Sequence, residues 1–123
     1  MRSLPTLAAF AALFVSASAS AADADRGRTL FQRQCAACHQ VTQPRNGVGP
    51  YLQGVVGRAA GGVAGANYSP ALRQSGITWT AEELNEFLAN PAAKVRGTRM
   101  SNRVPGATDR DDLIAFLATT QAP

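Results

Sequence analysis

The chain has 123 residues, with 12 basic and 8 acidic side chains and a formal charge of +4 when its single histidine is neutral. That length allows one small domain, and so mild a positive balance does not imply nucleic acid. No internal repeat or low-complexity linker divides it. At the amino end, Arg2 precedes an apolar run from Leu4 to Val15, followed by the small-residue stretch Ser16 to Ala22. Charge, length and ending are those of a secretory signal peptide. The 12-residue run is too short to span a bilayer unaided. Ser20-Ala21-Ala22 offers small residues at both recognition positions, so cleavage is expected after Ala22, with Ala19 the second choice and an uncleaved anchor the alternative. Residues 1–22 are thus read as a leader and 23–123 as one exported, periplasmic domain without a stable membrane anchor. Without Arg2, the remaining 11 basic and 8 acidic side chains give +3, and ten of the basic residues are arginine.

Four helices are expected in that domain. The first runs from Asp25 to Gln34, with Gly27, Leu30 and Phe31 at helical spacing. The long stretch from Gly47 to Gly65 is glycine-rich and reads as loop. A second helix opens at Ser69-Pro70, an N-cap followed by proline at the first helical position, and Gly76 stops it. Thr80-Ala81-Glu82-Glu83 is a capping box that starts a third, through Leu84, Phe87 and Leu88 to Asn90-Pro91. The last begins at Thr108-Asp109-Arg110-Asp111, with acidic residues suited to the helix dipole and an apolar face of Leu113, Ile114, Phe116 and Leu117. No strand pattern competes. The fold is expected to be all-α with long ordered loops.

Chemistry concentrates in Cys35-Ala36-Ala37-Cys38-His39, which holds both cysteines and the only histidine. C-x-x-C-H is the attachment sequence for a c-type haem. Two cysteines three apart lie on nearly one side of a helical turn, and the next residue turns its ring towards the porphyrin. Structural zinc would need four such ligands, and the chain has three. A thioredoxin-like dithiol would need a βαβ setting that is absent from the pattern. A disulfide here would close too small a loop to remove much chain entropy. One haem c bound through Cys35 and Cys38 is therefore expected, and it would fill the centre of a domain that buries little apolar area by itself. With His39 as one axial ligand, Met100 is the remaining methionine after leader removal. Its flanks, Gly97-Thr98-Arg99-Met100, are polar and glycine-bearing, which favours iron ligation over the filling of a core gap.

With these motifs in register the chain resembles the class I cytochromes c, mitochondrial-type and bacterial c2. The resemblance runs through Gly49-Pro50-Tyr51-Leu52, Gly54-Val55-Val56-Gly57-Arg58, Tyr68-Ser69 and Gly76-Ile77-Thr78-Trp79. It continues in Phe87-Leu88-Ala89-Asn90-Pro91, Gly97-Thr98-Arg99-Met100 and Asp112-Leu113-Ile114-Ala115-Phe116-Leu117. It implies the small cytochrome c fold around one covalent haem. By the same resemblance the Pro50 carbonyl accepts a hydrogen bond from the second ring nitrogen of His39, and Arg58, Tyr68 and Trp79 bind the haem propionates. Gly27, Phe31, Leu113 and Phe116 resemble the contact between first and last helices. Departures from the mitochondrial pattern are Phe87 in place of a tyrosine, Asn102 in place of an aromatic residue, Arg96 in place of a proline, and a His39-to-Pro50 stretch one residue shorter.

The function so implied is that of a soluble, monomeric electron carrier cycling Fe(II)/Fe(III), not an enzyme. Its expected partners are redox proteins with acidic docking surfaces, steered by Lys94, Arg96, Arg99 and Arg103 around Met100. A dedicated electron-transfer subunit of a periplasmic dehydrogenase is the alternative. A haem enzyme or gas sensor would need a distal acid–base group, and no second histidine exists.

Overall fold

The computed structural model describes residues 1–13 and 21–121. Residues 14–20 of the expected leader, including the second-choice cleavage site Ala19, lie outside the described residues. Five helices follow one another: α1 (Ala24–Gln34), α2 (Pro70–Arg73), α3 (Ala81–Ala89), α4 (Pro91–Lys94) and α5 (Ala107–Ala118). Among the described residues there is no strand, and a single antiparallel bridge joins Ala59 to Thr78. The all-α expectation holds.

Helix α1 starts where Asp23 caps it, its carboxylate accepting from the Arg26 amide at 3.0 Å. Gly27 and Phe31, four apart, form its buried face. That face crosses α5, whose Leu113, Ile114, Phe116 and Leu117 are buried. Gly27 is what lets the two helices meet: a Cβ added there would lie 1.9 Å from the Asp112 carbonyl oxygen. The Phe31 and Phe116 rings pack tilted, centroids 5.6 Å apart.

A polar latch closes the same crossing. The buried Asp112 carboxylate accepts from the Asp23 backbone nitrogen at 2.7 Å and from Arg26 Nη1 at 2.7 Å. Arg26 Nη2 reaches Asp109 at 2.6 Å. The bond from Asp23, then that from Arg26, holds the Asp112 carboxyl below the usual carboxylate range. An unfolded chain binds the Asp112 proton first, near pH 3.9, so this stabilisation is present above about that pH. It is lost as pH falls through the lower folded value. Denaturant titrations of the holoprotein on the acid limb should therefore show a stability decline that is shallower in Asp112→Asn.

Thr80 caps α3, accepting from the Glu83 amide at 3.2 Å. The reciprocal half of the expected capping box does not form. The Thr80 amide donates instead to the Thr78 carbonyl at 2.7 Å, and the Glu83 carboxylate turns to Lys94 at 2.6 Å. Asn90-Pro91 ends α3 as expected, yet the same pair starts α4: Asn90 Oδ1 accepts from the Ala93 amide at 3.3 Å, with Pro91 at the first helical position. This one-turn helix was not anticipated. Gly97, at φ +90°, then swings the chain into the loop that carries Met100.

The loops are ordered by bonds to helix ends. The Gly49 amide donates to the Cys38 carbonyl at 2.9 Å, Leu52 to Gln40 at 2.7 Å, and Gly54 to Thr120 at 3.1 Å. A main core gathers Val55, Trp79, Phe87, Leu88 and Leu113 around the inner ends of α1, α3 and α5. A smaller cluster of Val63, Ala66 and Tyr68 seals the loop preceding α2. In contrast, Leu4, Leu7, Phe10 and Leu13 are each more than 90% exposed and pack against nothing.

Candidate haem-binding site

After α1 the chain makes one more turn through the cysteines. The Cys35 amide donates to the Phe31 carbonyl at 2.8 Å, and both Cys38 and His39 amides donate to the Cys35 carbonyl at 3.0 Å. That turn faces Cys35, Cys38 and His39 into a cleft of about 270 Å³. All eight residues singled out in the sequence border it: Cys35, Cys38 and His39 on one side of the chain's path, then Pro50, Arg58, Tyr68, Trp79 and Met100. Much of the remaining wall is core side chain, including Leu52, Val55, Leu84 and Leu113.

Both cysteines are free and half-buried. Burial, with the neighbouring Cys38, pushes the Cys35 thiol up to about 11. Such a thiol stays protonated near neutral pH. The His39 ring is held neutral chiefly by burial, opposed by its bond to Pro50 and aided by the Arg58 charge. Nδ1 lies 2.7 Å from the Pro50 carbonyl oxygen. A carbonyl only accepts, so Nδ1 carries the proton and Nε2 keeps its lone pair for a metal.

Gly49 packs flat on that ring. A Cβ there would come within 2.4 Å of His39 Cε1 and 2.8 Å of Nδ1. Gly49→Ala should push the imidazole off the Pro50 carbonyl. The expected result is an Nδ1 proton that exchanges with solvent about tenfold faster in the holoprotein, equivalent to one hydrogen bond of about 1.4 kcal/mol. Proton-exchange NMR on the ring resonance is the measurement.

Opposite, the 57–60 segment pairs with 77–79. The Gly57 amide donates to the Trp79 carbonyl and the Trp79 amide to the Arg58 carbonyl, each at 2.8 Å. This pairing fixes Arg58 and Trp79 side by side. Arg58 Nη2 donates to the Tyr51 carbonyl at 2.8 Å and Nη1 to the Gln53 carbonyl at 3.3 Å, and the guanidinium lies 5.2 Å from the Tyr51 ring centroid. Its Nε is buried with no partner. An orphaned cationic donor in such a cleft is costly unless an anion meets it. The buried Tyr68 hydroxyl accepts from the Val63 amide at 3.2 Å, which leaves its own proton to donate. Trp79 is held by Phe87, ring centroids 5.0 Å apart, so the phenylalanine in the tyrosine position serves as packing.

The donor set and the orphaned Nε fit a haem, whose carboxylates would find a cationic donor in Arg58. A cytochrome c family model matches residues 24–121. The chain belongs to the cytochrome c family. Cytochrome c2 of Rhodomicrobium vannielii is 48% identical over 112 residues, covering 89% of each chain. Cytochrome c2 of Rhodoblastus acidophilus is 41% identical over 104 residues, 83% of this chain and 96% of that one. The solved structure of cytochrome cH from Methylobacterium extorquens superposes with a TM-score of 0.73 at 44% identity, covering 79% of this chain and 98% of the other. As a cytochrome c the protein carries one covalent haem c, and Cys35 and Cys38 are its C-x-x-C-H pair.

Within this cytochrome c, sequence reasoning missed how the Met100 loop is fixed. Arg99 Nη1 donates to Asn67 Oδ1 at 2.7 Å and to the Tyr68 carbonyl at 3.0 Å, tying that loop to the segment before α2. Asn102 Nδ2 donates to the Gln34 carbonyl at 3.4 Å, at the end of α1. Lys94 is paired with Glu83 and Glu86. Of the four charges read as a docking cluster, Lys94 is therefore ion-paired within the protein, whereas Arg99 is exposed, bonds only neutral acceptors and keeps its charge beside Arg96 and Arg103. Nothing in the local sequence marks Asn67 as the partner of Arg99, 32 positions on.

Proposed function

We propose that this cytochrome c is a soluble periplasmic electron carrier, not an enzyme, with His39 and Met100 as axial ligands of its haem. The observation that carries the reading is a neutral His39, fixed through Nδ1 on Pro50, on the same cleft as Met100 in a chain with no second histidine. The haem, when bound, supplies a one-electron Fe(II)/Fe(III) couple. His39 offers Nε2, made a stronger donor by the bond at Nδ1. Met100 would offer a soft thioether from the loop held by Arg99 and Asn102, a donor that would compete with small molecules for the iron. Arg58 Nε, the Tyr68 hydroxyl and the Trp79 indole are donors for buried carboxylates, whose charge would otherwise be costly. The apolar wall excludes water and disfavours the ferric charge, which raises the potential.

Export is supported by the leader pattern and by the exposure of Leu4, Leu7, Phe10 and Leu13. Among the described residues no helix is long and apolar enough to cross a membrane. The test is a visible redox titration of the haem-loaded protein with carbon monoxide present. A reversible one-electron transition without carbon monoxide binding fits a carrier. Binding by the wild-type ferrous form would point to an open-site enzyme or sensor.

Acidic redox partners are proposed to meet the face around Met100, with steering assigned to Arg96, Arg99 and Arg103, all exposed and none paired with a carboxylate among the described residues. Exposed charges are screened over about 10 Å at 0.1 M salt, so exchange with a native partner should slow as ionic strength rises. Charge reversal at Arg96 or Arg103 should slow it several-fold more than reversal at Arg33. Stopped-flow kinetics at graded salt is the check, and equal effects at all three would remove the steering role.

A further inference from the structure

We propose that cleavage after Ala22 builds part of the folded domain: it turns the Asp23 nitrogen into an α-ammonium that pairs with the buried carboxylate of Asp112 and locks α1 onto α5. This rests on the export reading above. The position is already occupied by the uncleaved chain, where the Asp23 amide donates to Asp112 Oδ1 at 2.7 Å. The acceptor belongs to a side chain only 6% exposed. An amide brings one proton and no charge to that contact. An ammonium brings three protons and a full charge without moving the nitrogen.

The local charge balance favours the change. From α1 and its cap come Arg26 and the carboxylates of Asp23 and, further along the first turn, Asp25. From α5 come Asp109 and Asp112, both on Arg26, with the exposed Asp111 beside them. One guanidinium thus serves the Asp109 and Asp112 carboxylates and its backbone amide the third, Asp23. The group is two charges negative before a new cation arrives. The α1 dipole opposes a cation at its amino end by about half a charge, which that excess outweighs. Ala21 and Ala22 are exposed and outside any helix, so the bond can be reached. Water adds across the Ala22–Asp23 peptide bond in a reaction run by an export peptidase, breaking C–N and leaving an Ala22 carboxylate and the Asp23 ammonium. A cut after Ala19 would leave Asp23 an ordinary amide with the charge three residues away.

The test compares two haem-loaded proteins, one beginning at Asp23 and one retaining Ala22, made by removing tags with a protease that leaves each terminus. The folded protein starting at Asp23 should have an unfolding constant about tenfold smaller at pH 7, the equivalent of an α-amine raised by about one unit above its ordinary value. The advantage should vanish in Asp112→Asn. Equal stability of the two parent proteins overturns the ion pair, and this arm does not depend on whether Asp112→Asn folds. Mass spectrometry of the exported holoprotein tests the other half. A terminus at Asp23 supports the proposal, whereas a terminus at Ser20 or an intact leader overturns it through the export reading alone.

Discussion

Gly27→Ala is expected to destabilise the holoprotein by about 3 kcal/mol or more, at the upper end of overpacking substitutions. The new methyl would sit 1.9 Å from the Asp112 carbonyl oxygen, 2.5 Å from its carbon and 2.9 Å from Phe116 Cβ. The first two are helical backbone and cannot turn aside as a side chain can. Relief requires α1 and α5 to part, which loosens the Phe31–Phe116 contact and stretches the bonds from Asp23 and Arg26 to Asp112. Alanine is the better helix former by about 1 kcal/mol, an opposing gain too small to rescue the contact. Guanidinium denaturation read by haem absorbance gives the number. Gly106→Ala is the matched control. Its Cβ would meet nothing closer than 3.4 Å, and its backbone is extended at φ −78°, so its midpoint should move little.

Met100→Ala is expected to abolish the thioether-to-iron band of the ferric spectrum completely and to let the ferrous protein bind carbon monoxide. The chain's other methionine is Met1, in the expected leader. The chain's single lysine, Lys94, stands six positions before Met100 but would be a poor replacement ligand. Its ammonium bonds to Glu83 and then Glu86, which raise its pKa above the ordinary lysine value and keep its lone pair protonated. The coordination site should therefore open instead of being refilled near neutral pH. A wild-type ferric protein already lacking the band would reject Met100 as ligand. A variant that lacks it yet refuses carbon monoxide would mean another side chain has moved in.

Much of this was legible before any coordinates. Helix caps at Ser69 and Thr80, the apolar face of α5 and the Gly27–Phe31 spacing are local signals, and local signals survive folding. C-x-x-C-H carries its chemistry in five consecutive residues. What sequence could not supply depended on pairs far apart in the chain. Glu83 had two possible partners, its own helix cap and Lys94 eleven residues away, and only packing chose the second. Asn90-Pro91 reads as a stop, while the geometry makes it a stop and a start. Arg58 and Trp79 look like a solvated charge and a core residue until the 57–60 and 77–79 segments pair. The resemblance to a known family, and not residue chemistry alone, pointed those two towards the cleft.

The α1–α5 crossing carries a consequence for the order of events during biogenesis. It joins the two ends of the domain, Asp23 to Asp112 being 89 positions apart. A chain made amino end first presents Cys35, Cys38 and His39 early and α5 last. Until α5 arrives, nothing can cover the Gly27–Phe31 face, and the cleft has no Leu113 wall. The crossing thus makes closure of the domain wait on its last helix: the Gly27–Phe31 face and the cleft beside Cys35, Cys38 and His39 are complete only when α5 is in place.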